Sequence, residues 1–401
     1  MELKDTQKTE FGIFPKQWSI RTIQSLIDDN FITGHLDGNH GELYPRTSEF
    51  KEDGVPYITA NDLTGSKVDL SCCKFLSYER ASLFKKGIAK DGDVLFAHNA
   101  TVGPTGLLRT NYDYVILSTT ATYYRCNPEK LNNKFFLQLL QSPMFIRQYR
   151  SVMAQSTRFQ VPITTQRKLS VFLPCLKEQD AIANALSNAD AYIESLEKII
   201  AKKQLIKKGV MQELLTGKRR LKGYTKETIK IVLGDIANLY QPQTISAKDF
   251  SQFGYPVYGA NGIIGYYDRT NHTSWQVTVT CRGSTCGTVN RTADLCWITG
   301  NAMVVNCDDN PQINKEFLYY KLCLQDLKSC VTGTGQPQIV RAPLAKVELE
   351  IPLESEEQEA IASTLKDMEV EIQTLEKSLQ KAHQIKQGMM QQLLTGRIRL
   401  I

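Results

Sequence analysis

Histidine is scarce in this chain, five among 401 residues, and the one close pair, His35 and His40, has no C-x-x-C pair to complete a zinc set, so no histidine-built metal centre is expected. Long apolar runs are missing as well: nothing approaches the roughly 18 residues of a membrane span. The opening MELKDTQKTEFGIFPKQW is charged throughout and has no apolar signal core, so a cytoplasmic protein without membrane attachment is expected. Ten cysteines are present, yet none forms a C-x-x-C pair, and several sit in apolar strand-like runs as reduced core thiols do. Catalytic signatures are equally absent. There is no G-x-x-x-x-G-K-[ST] loop and no G-x-S-x-G turn. Asn127-Pro128 and Asn310-Pro311 lack the second proline and aromatic residue with which an adenine methyltransferase holds a flipped base. A non-catalytic chain is expected, with no cofactor and no metal of its own.

What is present is a repeat. Glu178 aligns with Glu357, and the match runs without a gap to Leu221 and Leu400, a period of 179 residues with about half the positions identical. The repeated tail reads LIKKGVMQELLTGKRRL the first time and QIKQGMMQQLLTGRIRL the second. A period so long is a duplicated domain plus helix; solenoid units run to about 20–50 residues. Leu186, Ile193, Leu196 and Ile200 fall at helical spacing, as do Leu365, Ile372, Leu375 and Leu379, with Glu, Lys and Gln between them. After Ile200 and Leu379 the phase slips, and Ile206, Val210 and Leu214, or Ile385, Met389 and Leu393, are expected to continue the stripe on a shifted face. Each helix should end at LLTG, with Gly217 and Gly396 in the left-handed cap conformation. A helix of roughly 60 Å with a narrow apolar stripe needs a partner, and the other copy is the economical one, packed antiparallel as a coiled coil with a pseudo-two-fold axis.

The segments before the helices share a plan. GVPYITAND stands beside GYPVYGANG, GDVLFAHNATVG beside WQVTVTCRGSTCG, and LNNKFFLQLL beside QINKEFLYYKL, the last pair aligned on Asn133 and Asn314. Expected boundaries are 1–173 and 218–352 for the two globular units, and 174–217 and 353–401 for the helices. Like helices carrying unlike domains suit a protein that reads two signals at a fixed separation, and with a net charge of +6 the polymer of fixed spacing is DNA.

TEFGIFPKQWSIRTI, QPQIVRAPLAKVELEIPLESEEQEAIA and IKKGVMQELLTGKRRL, in that order and largely twice, resemble the specificity subunit of type I restriction-modification systems over nearly the whole chain. The second unit departs from the pattern by lacking the Pro and Trp at its start. The resemblance implies an α/β (α+β) protein with two target recognition domains, each built on an irregular β-sheet. It implies as partners double-stranded DNA with a bipartite target, two methyltransferase subunits, and restriction/translocase subunits. S-adenosylmethionine, ATP and Mg would sit on those partners. A stand-alone DNA-binding protein and a coiled-coil assembly scaffold are the alternatives.

Base edges are read by forked and amide groups, Arg on guanine and Asn or Gln on adenine. The candidates in the first unit are His98, Asn99 and Thr101 after the strand DVLFA, with Ser156, Arg158 and Gln160 in AQSTRFQ. In the second they are Arg282, Ser284, Thr285, Thr334, Gln336 and Gln338, joined by Tyr258, Asn261 and Tyr266 of VYGANGIIGYY. The basic run Lys202, Lys203, Lys207, Lys208, Lys218, Arg219, Arg220 and Lys222 suits either the DNA spacer or a protein dock.

Overall fold

The structure, a computed structural model, describes residues 5–38, 43–154, 159–332 and 337–400. It divides into two compact units: residues 1–196 with 378–401, and residues 197–377. The first unit is discontinuous in sequence and the second continuous, and each takes in part of both long helices.

The first unit contains β1 (Ser19–Thr22), β2 (Ile32–Asp37), β3 (Val55–Ile58), β4 (Lys74–Leu76), β5 (Val94–Ala97), β6 (Thr105–Leu107), β7 (Val115–Leu117), β8 (Ala121–Cys126), α1 (Asn133–Leu140), β9 (Ser170–Leu173) and the start of α2 (Leu176–Leu215). The second contains β10 (Thr228–Val232), β11 (Asn238–Tyr240), β12 (Tyr255–Tyr258), β13 (Ile263–Tyr267), β14 (Val277–Thr280), β15 (Val289–Arg291), β16 (Trp297–Ile298), β17 (Ala302–Asn306), α3 (Lys315–Leu324), β18 (Glu348–Pro352) and the start of α4 (Ser355–Leu393).

These elements repeat one topology. One sheet runs β2-β8-β5-β6 in the first unit and β11-β17-β14-β15 in the second. Beside it, β3 lies between antiparallel β4 and parallel β7, as β12 lies between antiparallel β13 and parallel β16. Entry and exit are tied in both: β1 pairs with β9, which leads into α2, and β10 pairs with β18, which leads into α4. Every residue of β5 and of β14 is buried, which is why these strands read as continuous apolar or β-branched runs without alternation.

Each unit joins its long helix to its sheets through one buried dipeptide. Gln179 accepts from the amide of Asn132 at 3.0 Å and donates to the carbonyl of Pro174; Gln358 accepts from the amide of Asn314 at 2.9 Å and donates to that of Pro352. Asn132 and Asn314 are the N-caps of α1 and α3, accepting from Phe135 and Phe317. The two helix starts therefore superpose Asn132 on Asn314, one residue away from the expected alignment on Asn133. Next to each glutamine is a fully buried glutamate. Arg399 holds Glu178 through a two-pronged contact whose Nη2–Oε2 limb is 2.7 Å, and Trp18 Nε1 adds a hydrogen bond of 3.1 Å. Arg220 holds Glu357 at 2.6 and 2.5 Å.

The ends of the helices are core elements. Leu393 and Leu394 lie in the hydrophobic cluster of the first unit, with Phe14, Phe172 and Leu186. Leu214 and Leu215 lie in that of the second, with Phe317, Leu344 and Leu365. Each unit thus holds antiparallel stretches of both helices, fixed by Lys386–Asp190 in the first and by Lys203–Glu371 and Lys207–Glu369 in the second. Leu186, Ile193, Leu196, Ile200, Leu365 and Ile372 are buried and Leu375 and Leu379 half-buried. The stripe does not continue through Ile206 and Ile385, which are 43% and 52% exposed. The cysteines divide likewise: Cys73, Cys281, Cys296, Cys307 and Cys330 are buried thiols, but Cys72, Cys175 and Cys323 are exposed, so burial does not account for those three.

Gly217 and Gly396 end the helices at φ of +70° and +67°. They differ in their surroundings. A Cβ on Gly396 would sit 2.5 Å from Pro15 Cγ and 3.2 Å from Trp18 Cζ2, whereas one on Gly217 would meet nothing closer than 4.0 Å. Gly217→Ala should therefore cost about 1 kcal/mol for its left-handed backbone alone. Gly396→Ala should cost two to three times as much, because a rigid proline ring has to move. Chemical denaturation of the two variants checks the ratio, and equal losses would contradict it.

Candidate nucleic-acid interface

The loops singled out in the sequence meet in space. In the first unit, the loop after β5 pairs with the segment before Val161, through an isolated antiparallel bridge between Asn99 and Gln160. In the second, the loop after β14 pairs with the segment before Ile339, through the same kind of bridge between Arg282 and Gln338.

Three backbone hydrogen bonds show the two frames to be equivalent. The Val161 amide donates to His98 O at 2.8 Å, and Ile339 to Cys281 O at 2.9 Å. His98 donates to Thr120 O at 2.9 Å, and Cys281 to Asn301 O at 3.1 Å. Gly103 closes its loop on Ala97 O at 3.0 Å, as Gly287 does on Thr280 O at 2.9 Å, both glycines at positive φ. On this shared frame the outward residues differ. The first loop carries Asn99 and exposed Thr101; the second, longer by one residue, carries exposed Arg282, Ser284 and Thr285. The turn of the β12–β13 hairpin joins the second site, because Thr280 Oγ1 donates to Ala260 O, and this leaves Asn261 exposed beside the Arg282 loop.

Some expectations need correction. His98 is 5% exposed, so its backbone belongs to the frame while its ring is withdrawn from any base edge. Tyr258 is half-buried and its hydroxyl accepts from the Ala293 amide at 2.9 Å, which makes it part of the scaffold. Tyr266, 44% exposed, lies on β13 opposite Pro256, away from the hairpin turn. Ser156, Arg158, Thr334 and Gln336 lie outside the described residues. In the basic run, Lys203, Lys207, Arg219 and Arg220 are engaged with carboxylates of this same chain, so half of the run already has internal partners.

One supporting residue went unnoticed in the sequence. Gln166 is completely buried and saturates four neighbours: its Oε1 accepts from Tyr124 OH at 2.6 Å and faces His35 Nε2 at 3.1 Å, while its Nε2 donates to Thr122 Oγ1 at 3.1 Å and to Val161 O at 2.8 Å. Burial pushes the His35 imidazole down to about 4, so it is neutral at pH 7. Its Nε2 then carries the proton toward Gln166, the tautomer that this acceptor requires. The network pins Val161, the residue next to Gln160. Among the described residues no cluster of three or more His, Cys, Asp or Glu is arranged to hold a metal ion, and no helix is long and apolar enough to cross a membrane.

The family model for the type I restriction modification DNA specificity domain matches twice, over residues 35–205 and 226–387, and the chain belongs to that family. The MjaVIII type I restriction enzyme specificity subunit of Methanocaldococcus jannaschii is 25% identical over 225 residues, which take in 55% of this chain and 51% of that relative, about half its length. A second M. jannaschii chain, described as the MjaX specificity subunit, is 23% identical over 98% of this chain and 96% of its own. Among solved structures, the S subunit of a type I restriction-modification system from M. genitalium aligns with a TM-score of 0.62 at 16% identity, covering 94% of this chain and 96% of that one. A chain from a study of complex assembly and conformational transition in the type I system aligns at 0.56 with 16% identity, over 96% and 99% of the two chains. These likenesses to solved structures extend the agreement to the fold.

Proposed function

We propose that this chain is the DNA-recognition subunit of a cytoplasmic type I restriction-modification complex, and that it supplies sequence specificity without chemistry of its own. The observation that carries this reading is one backbone frame built twice, presenting Asn99 and Gln160 in the first unit and Arg282 and Gln338 in the second. Each recognition domain, residues 1–173 and 218–352, reads one half of a bipartite target. Adenine methylation with S-adenosylmethionine, and ATP- and Mg-dependent translocation and cleavage, belong to the partner subunits.

The repeat also supports a dock for one copy of a methyltransferase subunit on each of the two long helices. Several residues identical in both copies serve the fold: Glu178 and Glu357, the LL pairs, Lys207 and Lys386, Arg220 and Arg399. Lys202, Ile206, Gly209 and Gln212 do not, nor do their counterparts Lys381, Ile385, Gly388 and Gln391. Each set lines one helical face, with Lys, Ile and Gln exposed. A Cβ on Gly209 or Gly388 would meet nothing within 4 Å, so the cost of a mid-helix glycine, about 1 kcal/mol, brings no packing gain within this chain. A partner backbone approaching closely at each face accounts for it.

Coexpression with the methyltransferase subunit tests both parts. The wild-type chain should copurify with two methyltransferase copies and methylate adenine in one bipartite motif. Gly209→Trp should leave one copy bound and abolish that methylation. Tight specific binding by the isolated chain would favour the stand-alone reading, and copurification without any motif the scaffold reading.

A further inference from the structure

The equivalence of the two frames permits a sharper assignment, which rests on the recognition reading above. Because Asn99 and Arg282 occupy the same place after the same strand, and Gln160 and Gln338 the same place across the bridge, differences in outward chemistry between the units are differences in what each can read. In the first unit the pair consists of two amides. Beside them stands Phe159, 78% exposed, adjacent in sequence to the bridging Gln160. A side-chain amide pairs in the major groove with adenine N6 and N7, and an apolar ring contacts the 5-methyl of thymine. Amide and ring therefore suit the two bases of one A·T pair.

In the second unit the amide of the loop is replaced by the Arg282 guanidinium, exposed and without a carboxylate partner among the described residues. The position of Phe159 is taken by Pro337, whose smaller aliphatic ring is bonded back to its own backbone nitrogen and reaches less far toward a base. A guanidinium forks onto O6 and N7 of guanine. We infer that the first half of the target contains A·T pairs read by Asn99 and by Gln160, with Phe159 on a thymine methyl, and that the second half contains a G·C pair read by Arg282. Gln338 sits beside Arg282 as Gln160 sits beside Asn99, so the second half should also carry an adenine next to that guanine.

The test uses the full chain in complex with its methyltransferase subunits, and reads methylated adenines across a genome by sequencing. Arg282→Ala should relax one G·C position in the second half by about 10- to 100-fold in relative methylation, leaving the first half unchanged. Arg282→Lys should keep only part of that discrimination, because lysine retains the charge and donors but loses the planar fork. Asn99→Ala, Gln160→Ala and Phe159→Ala should each relax an A·T position in the first half, and nothing in the second. If Arg282→Ala lowers methylation at all sites alike and relaxes no base position, Arg282 is a phosphate contact and the assignment is overturned. Relaxation of both halves by a single variant, or of an A·T pair by Arg282→Ala, overturns it too. A wild-type complex that yields no bipartite motif at all would instead overturn the recognition reading, and this assignment with it. Binding of each variant to a nonspecific duplex, expected to change by less than twofold, separates misfolding from lost readout.

Discussion

Replacing Arg220 with alanine is expected to destabilise the second unit by about 3 kcal/mol, the lower end of the range for breaking a buried ion pair. The reason is the residue left behind. Glu357 is completely buried and takes both of its strong hydrogen bonds from this guanidinium, so its carboxylate would face the interior unpaired. The Arg220 side chain is 27% exposed, which places the cost at the lower end. Arg399→Ala should be milder in the first unit, because Glu178 keeps the Trp18 indole as a donor. Arg219→Ala makes the control: its side chain is 71% exposed, its partner Glu213 is also exposed, and no measurable loss is expected. Adding Glu357→Gln to Arg220→Ala should recover much of the loss by removing the stranded charge. Urea unfolding of the four variants decides the matter. If Arg220→Ala is as stable as the wild type, the repeated arginine does not belong to the fold, and its place in a dock or on DNA would have to be reconsidered.

Gln166→Leu should be the most damaging single change in the first unit, at about 4 kcal/mol. Leucine fills the volume and strands four groups: His35 Nε2, Tyr124 OH, Thr122 Oγ1 and Val161 O, each costing about 1–3 kcal/mol when buried without a partner, with some relief from rearrangement. The effect should also be local. Hydrogen exchange at the Val161 amide, which donates to His98 O, should quicken, while Ile339, its counterpart in the second unit, stays protected. Equal loosening at both would mean that Gln166 acts on global stability alone.

The helices were legible because a 3.6-residue period sustained over some 40 residues outweighs local ambiguity. The strands β5 and β14, and the loops after them, were legible as residue types: a buried run followed by polar groups and a glycine. Their pairing was not, since Asn99 meets Gln160 and Arg282 meets Gln338 across more than fifty residues of chain. The one-residue shift at the helix caps has the same origin. Which of two adjacent asparagines caps α1 is decided by Gln179, far along the sequence. His98 and Tyr258 were assigned to the surface because a polar residue in a loop gives no sign of the neighbour that covers it. Glu178 and Arg399 carried a signal that could have been used: charges identical in two copies whose other surface residues drifted suggest a partner in the interior. Gln166 offered none, being one more polar residue in the stretch ITTQRK.

Leu393 and Leu394 complete the core of a unit whose first segment ends at Leu196. On the ribosome the first domain therefore emerges long before its last core residues are made, and it waits, exposed, while the second domain is synthesised. A product cut short by a nonsense codon or a stalled ribosome would lack those leucines and Arg399, and would leave Phe14, Phe172 and Glu178 uncovered for proteases. A truncated reader that kept one domain could direct modification to the wrong sites. Because Leu393, Leu394 and Arg399 follow the second domain in sequence, the first core closes only on a chain that already carries both domains.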